Sequence, residues 1–345
     1  MGSSLRIALS TALAIGTVAP ARAGPSATFM DWTVVCSDGL ACSASVFREG
    51  AEGGLRSLAI RRAAGGDAAA AVTLGADGRA APTGPVVFTP DDGAAVSFSA
   101  EDFGVDAQGN LTARPGEVGA RLQAALRRGT QVRIAYETAE GPREGTLSTR
   151  GFVAALRFMD EAQYRAGTVS ALEAKGPDPA RAAALLPKDI ATAADLPEVV
   201  RRLWADGAAD CAAFDGYEPD AIGFSAPLGT DRLFGLLCGS PGAYNSISRF
   251  YRLSQDGSAE PVALPGMSEK GPVALDWVMN ADWDDRSRTL TAFARGRGLG
   301  DCGTFDRWHL ETGELGFVLV ESRAKDECDG DVGDGPESWE RLWPR

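Results

Sequence analysis

The sequence predicts a mainly β fold, all-β with a few helices, and three observations carry that expectation. Short runs with β-branched and aromatic residues recur along 345 residues, separated by Gly, Pro, Asp and Asn pairs. Helical periodicity is confined to isolated stretches. Six cysteines stand where they can cross-link neighbouring strands. The expected arrangement is an amino-terminal β-sandwich-like domain over residues 24–175 and a carboxyl-terminal antiparallel meander over 206–345. The meander could form a barrel, a sandwich or propeller-like blades. Residues 176–205 read as a linker with a short helix, because Pro177, Pro179 and Pro187 interrupt an alanine-rich stretch.

In chain order, Phe29–Cys36 and Cys42–Arg48 form the first hairpin. Trp32, Val34 and Cys36 alternate on one strand, Cys42, Ala44 and Val46 on the next, and Asp38-Gly39 turns between them. Further runs follow at Leu55–Arg62, Ala70–Leu74, Val86–Thr89, Ala94–Ala100 and Gln131–Thr138, with turn signals that include Gly53-Gly54 and Asp77-Gly78. After Pro115, Val118, Leu122, Ala125 and Leu126 make the apolar stripe of a helix that Gly129 ends. Phe152, Ala155, Leu156 and Met159 recur at i, i+3, i+4 and i+7, a second helix with Thr149 as cap and Gly167 as stop. Its stripe suits packing on a sheet better than a partner groove.

A short helix is expected from Pro197 to Trp204. Strand-like runs then resume at Phe214–Tyr217 and Ala221–Ser225. A hairpin follows, Arg232–Cys238 with Ala243–Leu253, and later runs extend to Leu315–Glu321. Asp284–Ser287 and Glu311–Glu314 have the composition of hairpin turns. Trp339 and Trp343 should fold back on this sheet.

Residues 1–23 read as a secretory signal. Arg6 precedes an apolar core from Ile7 to Ala19, and Ala21-Arg22-Ala23 offers a cleavage site, so export to the periplasm with cleavage after Ala23 is expected. The core is too short for a spanning helix, which needs about 20 apolar residues, and no later segment reaches that length. Loss of Arg6 and Arg22 would move the formal charge from −13 to −15. That balance disfavours nucleic acid and anionic lipid as partners. In an oxidising compartment the pairs Cys36–Cys42, Cys211–Cys238 and Cys302–Cys328 are favoured, since sequential pairs close neighbouring strands in a meander. The sequence has no C-x-x-C to support thiol redox chemistry.

Several ordered stretches carry a family resemblance. They are Asp31–Cys36, Gly151–Arg157, Asp160–Gln163 with Gly167-Thr168, Cys238 with Gly242–Asn245, and Arg295–Gly303 followed by Trp308, Cys328 and Trp339. Together the chain resembles the bacterial domain of unknown function 1176 family. Its opening segment is also similar to the invasion-associated locus B proteins. The first resemblance implies a periplasmic protein of two mostly β parts and brings no catalytic residues.

Candidate ligand-binding residues are Tyr244, Asn245, Arg295, Arg297 and Asp301. In the loop Arg295–Gly303, glycines permit positive φ and successive amides could form an anion nest beside two arginines. The plainer alternative is a tight β connection in which Asp301 bonds nearby amides. Tyr244-Asn245 could offer a hydroxyl and an amide to a polar ligand, joined by Trp283 and Trp308 in an aromatic surface; alternatively the tyrosine ring is buried and Asn245 serves its turn.

Asn280, Asp282, Asp284 and Asp285, and Asp329, Asp331 and Asp334 near Glu340, both fail the EF-hand pattern and read as solvated turns. His309 is the sole histidine and has no G-x-S-x-G beside it. No metal, cofactor or catalytic residue is expected. The reading is a non-catalytic binding or envelope-interaction module whose partner is an envelope protein or a cell-wall fragment. The alternatives are a cell-envelope hydrolase with acids in an interdomain cleft, and a purely structural envelope component.

Overall fold

Antiparallel strands dominate the computed structural model, which describes residues 24–48, 54–66, 68–76, 81–106, 109–206, 211–214, 216–268, 270–311 and 316–344. The signal segment and the turns at Asp77-Gly78 and Thr312–Glu314 lie outside the described residues.

The amino-terminal part contains β1 (Ser26–Phe29), β2 (Trp32–Cys36), β3 (Cys42–Phe47), β4 (Leu55–Arg62), β5 (Ala71–Ala76), β6 (Val86–Pro90), β7 (Val96–Phe98), β8 (Phe103–Val105) and β9 (Leu111–Ala113). Helix α1 (Glu117–Leu126), β10 (Gln131–Thr138), β11 (Gly141–Ser148) and α2 (Phe152–Ala162) complete it. A seven-stranded sheet runs β1-β2-β3-β4-β5-β9-β8 and a four-stranded sheet runs β11-β10-β6-β7. Both supply one core, with Trp32, Leu58, Phe88, Ile134 and the α2 stripe Phe152, Ala155, Leu156 and Met159. Alternation produces this: β2 is buried at Trp32, Val34 and Cys36 and exposed between them. Gly151, at φ 94°, caps α2 in the place expected for Thr149. The Thr149 hydroxyl instead donates to the Gly129 carbonyl at 3.1 Å. Gly151 is needed because an added Cβ would stand 1.9 Å from the Phe29 carbonyl oxygen.

The carboxyl-terminal part begins with β12 (Lys188–Ile190) and α3 (Glu198–Asp206). Next come β13 (Gly223–Leu228), β14 (Asp231–Leu237), β15 (Ile247–Leu253), β16 (Ala259–Val262), β17 (Leu264–Ser268), β18 (Gly271–Leu275) and β19 (Val278–Met279). The last five are β20 (Ala281–Asp284), β21 (Thr289–Arg295), β22 (Gly303–Leu310), β23 (Phe317–Lys325) and β24 (Glu340–Trp343). One sheet runs β12-β13-β14-β15-β16 with β19 also on β15, a second is the β17-β18 hairpin, and a third runs β20-β21-β22-β23-β24. None of these sheets is closed into a barrel. Segment 176–205 thus carries an edge strand and α3 as well as connecting chain.

The central sheet is covered on both faces. Val200 and Trp204 of α3 pack on Phe234, Leu236 and Tyr251. Leu233 and Phe250, on the other face, pack with Trp283, Trp308 and Phe317. Gly235 makes that second core possible, since a Cβ there would lie 2.4 Å from the Phe224 ring. Trp283 and Trp308 are therefore core residues at 1% and 0% exposure, which corrects their placement in an aromatic surface. Phe214 packs on Trp204 from irregular chain instead of a strand. Trp339 is buried against Phe293, while Trp343 is 40% exposed and donates its indole N–H to the Leu319 carbonyl. The cysteines pair as Cys36–Cys42, Cys211–Cys238 and Cys302–Cys328.

Candidate functional site

The loop from Gly296 to Cys302 joins β21 to β22 and is fixed at several points. Gly296 N–H donates to the Cys302 carbonyl at 2.9 Å, and Gly300 N–H to that of Arg297 at 3.0 Å. Gly303 sits at φ 136°, with room for no Cβ: one would stand 2.0 Å from the Ala294 carbonyl oxygen. Asp301 has no solvent exposure. Its carboxylate accepts from Arg297 Nε at 2.8 Å and from the Gly330 amide at 2.6 Å. The Arg297 hydrogen bonds hold the Asp301 carboxyl far below the usual carboxylate range. Arg297 thus faces its own loop carboxylate. With Cys302–Cys328 alongside, this ties the loop to residues 328–330.

Tyr244 and Asn245 meet the same loop. The Asn245 amide donates to the Arg295 carbonyl at 2.9 Å and accepts from the Arg295 N–H at 3.1 Å. Asn280, at φ 48°, donates to Asn245 Oδ1 at 2.7 Å and to the Phe293 carbonyl at 2.8 Å, and accepts from the Ser246 N–H at 2.9 Å. The Tyr244 hydroxyl reaches the Gly296 carbonyl at 3.4 Å. Arg295 lies over the Phe293 ring, its Nε buried without a hydrogen-bond partner among the described residues. The five sequence-selected residues are therefore neighbours. Two apolar side chains project from the assembly, Leu299 at 57% and Tyr244 at 37% exposure.

A second assembly, at the seam between the two parts, takes in Asp282 and Trp283, and burial there corrects the expectation of a solvated turn at Asp282. The β2–β3 turn, closed by Cys36–Cys42, seats against β12 and β20. The Ser37 hydroxyl donates to Asp189 Oδ2 at 2.7 Å and the Gly39 N–H to Asp189 Oδ1 at 3.1 Å. The Trp283 N–H donates to Asp38 Oδ1 at 3.3 Å. The Asp38 and Asp282 carboxyls are close enough for each to influence the other's titration. Burial pushes Asp38 well above the ordinary carboxyl range, helped by Asp282, and burial also raises Asp282 to about 6.

Nearby, Tyr164, at φ 56°, has Arg181 and Arg286 within 4.3 and 5.0 Å of its ring centroid and donates its hydroxyl to Asp285 Oδ2 at 2.7 Å. Burial raises that hydroxyl's pKa. Arg286 also donates to the Glu161 carbonyl.

The remaining candidates serve local structure. Asp284 accepts from the Arg286 and Ser287 amides, and Asp329 from Lys325 Nζ at 2.8 Å. Asp301, Cys302 and Cys328 lie close enough to share an ion, but both sulfurs are in the disulfide. His309 is exposed on β22, opposite Val318.

The fold and its three cross-links define a disulfide-stapled, mainly antiparallel β protein. Among the described residues no helix is long and apolar enough to cross a membrane. The chain belongs to the family described as "Protein of unknown function (DUF1176)", which matches residues 26–345. It is 30% identical over 213 residues to the uncharacterized protein YpfG of Escherichia coli (strain K12), covering 57% of this chain and 59% of that one. The match thus spans under two thirds of that relative's length. The crystal structure of invasion associated protein b from Bartonella henselae aligns at 18% identity with a TM-score of 0.31, over 41% of this chain and 99% of that one.

Proposed function

We propose that this chain is an exported periplasmic interaction module, cleaved after Ala23, built of two domains joined through residues 176–205. It engages an envelope protein or cell-wall fragment through the corner formed by Tyr244, Leu299 and Arg297. One observation carries the reading: an exposed leucine and tyrosine sit on a loop immobilised by Cys302–Cys328, Asp301 and the Asn245–Asn280 network. A rigid loop gives up little conformational entropy on binding, and tyrosine and arginine are enriched at binding hot spots. The Arg6-to-Ala23 pattern and three disulfides support the compartment.

The hydrolase alternative finds acids between the parts in Asp38 and Asp282, whose carboxyls are both raised by burial. Photocross-linking in intact cells tests the binding reading. A photoreactive residue at position 299 should capture one envelope protein or glycan, whereas the same residue at exposed Glu101 should not. Equal cross-linking at both positions would refute the corner. An amino terminus other than Gly24 in periplasmic material would refute the cleavage.

A further inference from the structure

Helix α1 buries a polar residue that its apolar stripe does not explain. Gln123 is 7% exposed, and its side-chain amide has no hydrogen-bond partner among the described residues. It lines a recess of about 480 Å³, within the range of about 300–1,000 Å³ usual for ligand clefts.

One wall is a single helical row, Gly116, Ala120, Gln123 and Arg127, spaced so that every member faces the same way. The facing wall is the loop Ala171–Lys175. That loop is held by Asp160, whose buried carboxylate accepts the amides of Leu172, Glu173 and Ala174 at 2.7, 2.8 and 2.9 Å. Arg127 ties the two walls together, through Glu173 Oε2 at 2.8 Å and the Leu172 carbonyl at 3.0 Å. Ala69 and Ala70 add small side chains before β5.

The chemistry of the recess selects its occupant. A primary amide offers donors and an acceptor together, the complement of a peptide group. The Gln123 amide opens on the recess and is paired with no group among the described residues, so a ligand's peptide group can meet it. Lys175 stands at the rim with no ion-pair partner among the described residues, so it is free to meet a carboxylate. The alanine and glycine lining leaves room for a narrow chain and no deep slot for a large side chain. We propose that this recess binds the carboxylate end of a short peptide of small residues. Gln123 pairs with its amide, Lys175 with its carboxylate, and Asp160 positions the far wall. The inference is independent of the Tyr244–Leu299 corner, which lies on other sheets.

The test uses the oxidised chain and N-acetyl-Ala-Ala as probe, with its carboxamide as comparison, read by saturation-transfer NMR and titration. The intact chain should bind the acid saturably, and the carboxamide at least about five-fold more weakly. Ala120→Leu fills the recess from an exposed helix position and should abolish binding at an unchanged Tm. Gln123→Leu should weaken both probes, and Lys175→Ala should erase the preference for the acid. Absence of saturable binding tighter than about 10 mM overturns the proposal. So does full binding by a folded Ala120→Leu variant, or equal affinity for acid and carboxamide.

Discussion

Replacing Asp282 by Asn should flatten the acid side of the protein's stability profile. Asp38 and Asp282 are neighbours at the seam, and burial raises Asp282 from 3.8 to about 6. A carboxyl with a raised folded-state pKa binds its proton more tightly folded than unfolded. The stability it adds is complete below about pH 3.8 and disappears as pH rises through about 6. Each tenfold gain in proton affinity on folding corresponds to about 1.4 kcal/mol, so Asp282 contributes about 3 kcal/mol across that window. For a chain of this size unfolding as one unit, that is about 4 °C in Tm.

Carboxylates that are lowered instead, such as Asp91 and Asp231, lose their contribution below the ordinary range. Their effect falls on the acid side of the window. Asp306 is also raised by burial and cancels in the difference between wild type and variant, which reports Asp282 together with its effect on Asp38. Thermal unfolding from about pH 4 to 7.5 should show the wild type losing stability with rising pH, and Asp282→Asn losing less than half as much. The new amide can still donate to Asp38. A wild-type Tm that is flat or rising between about pH 4.5 and 7, or an Asn variant with an unchanged slope, would refute the raised Asp282 carboxyl.

Three further outcomes follow from the packing. Gly39→Val should open the seam, because even a Cβ would stand 2.0 Å from the Asp189 nitrogen. A loss of roughly 2–4 kcal/mol and faster proteolysis within 176–187 are expected, while Gly84→Val, in open space, should behave as wild type. Removing Cys302–Cys328, which spans 26 residues, should cost about 3.5 kcal/mol, against about 2 kcal/mol for Cys36–Cys42, which spans 6. Denaturant unfolding of the two double-serine variants would test that order. Asp160→Asn should cost about 2–4 kcal/mol, since its amide would face backbone donors that the carboxylate now accepts. Hydrogen exchange at Leu172–Ala174 should then accelerate.

Features set by near neighbours in sequence can be read directly. The alternation in β2 and β3 sets Cys36 opposite Cys42, and the i, i+3, i+4, i+7 row of α2 is the row that reaches the core. The cap of α2 differs from its sequence expectation because a close approach to Phe29, 122 residues from Gly151, decides it over Thr149's capping propensity. Period-two alternation shows that Trp283 and Trp308 face away from their strand neighbours, but not that another sheet covers that face. The seam is the least legible feature. Trp283 and Asp38 are 245 residues apart, and an Asp-Gly pair reads the same in a solvated turn as in a docked one. Asn280 likewise resembles a metal ligand in sequence, although its positive φ and four partners make it a strut.

The Cys36–Cys42 staple sits at the neck of the turn that reaches into the opposite part of the molecule. Oxidation there does more than stiffen a hairpin: it shapes the plug on which β12 and β20 come to rest. The seam contacts themselves come from Ser37, Asp38 and Gly39, the residues that the staple encloses. The same sulfur bond thereby narrows the shapes that this turn can present to the seam.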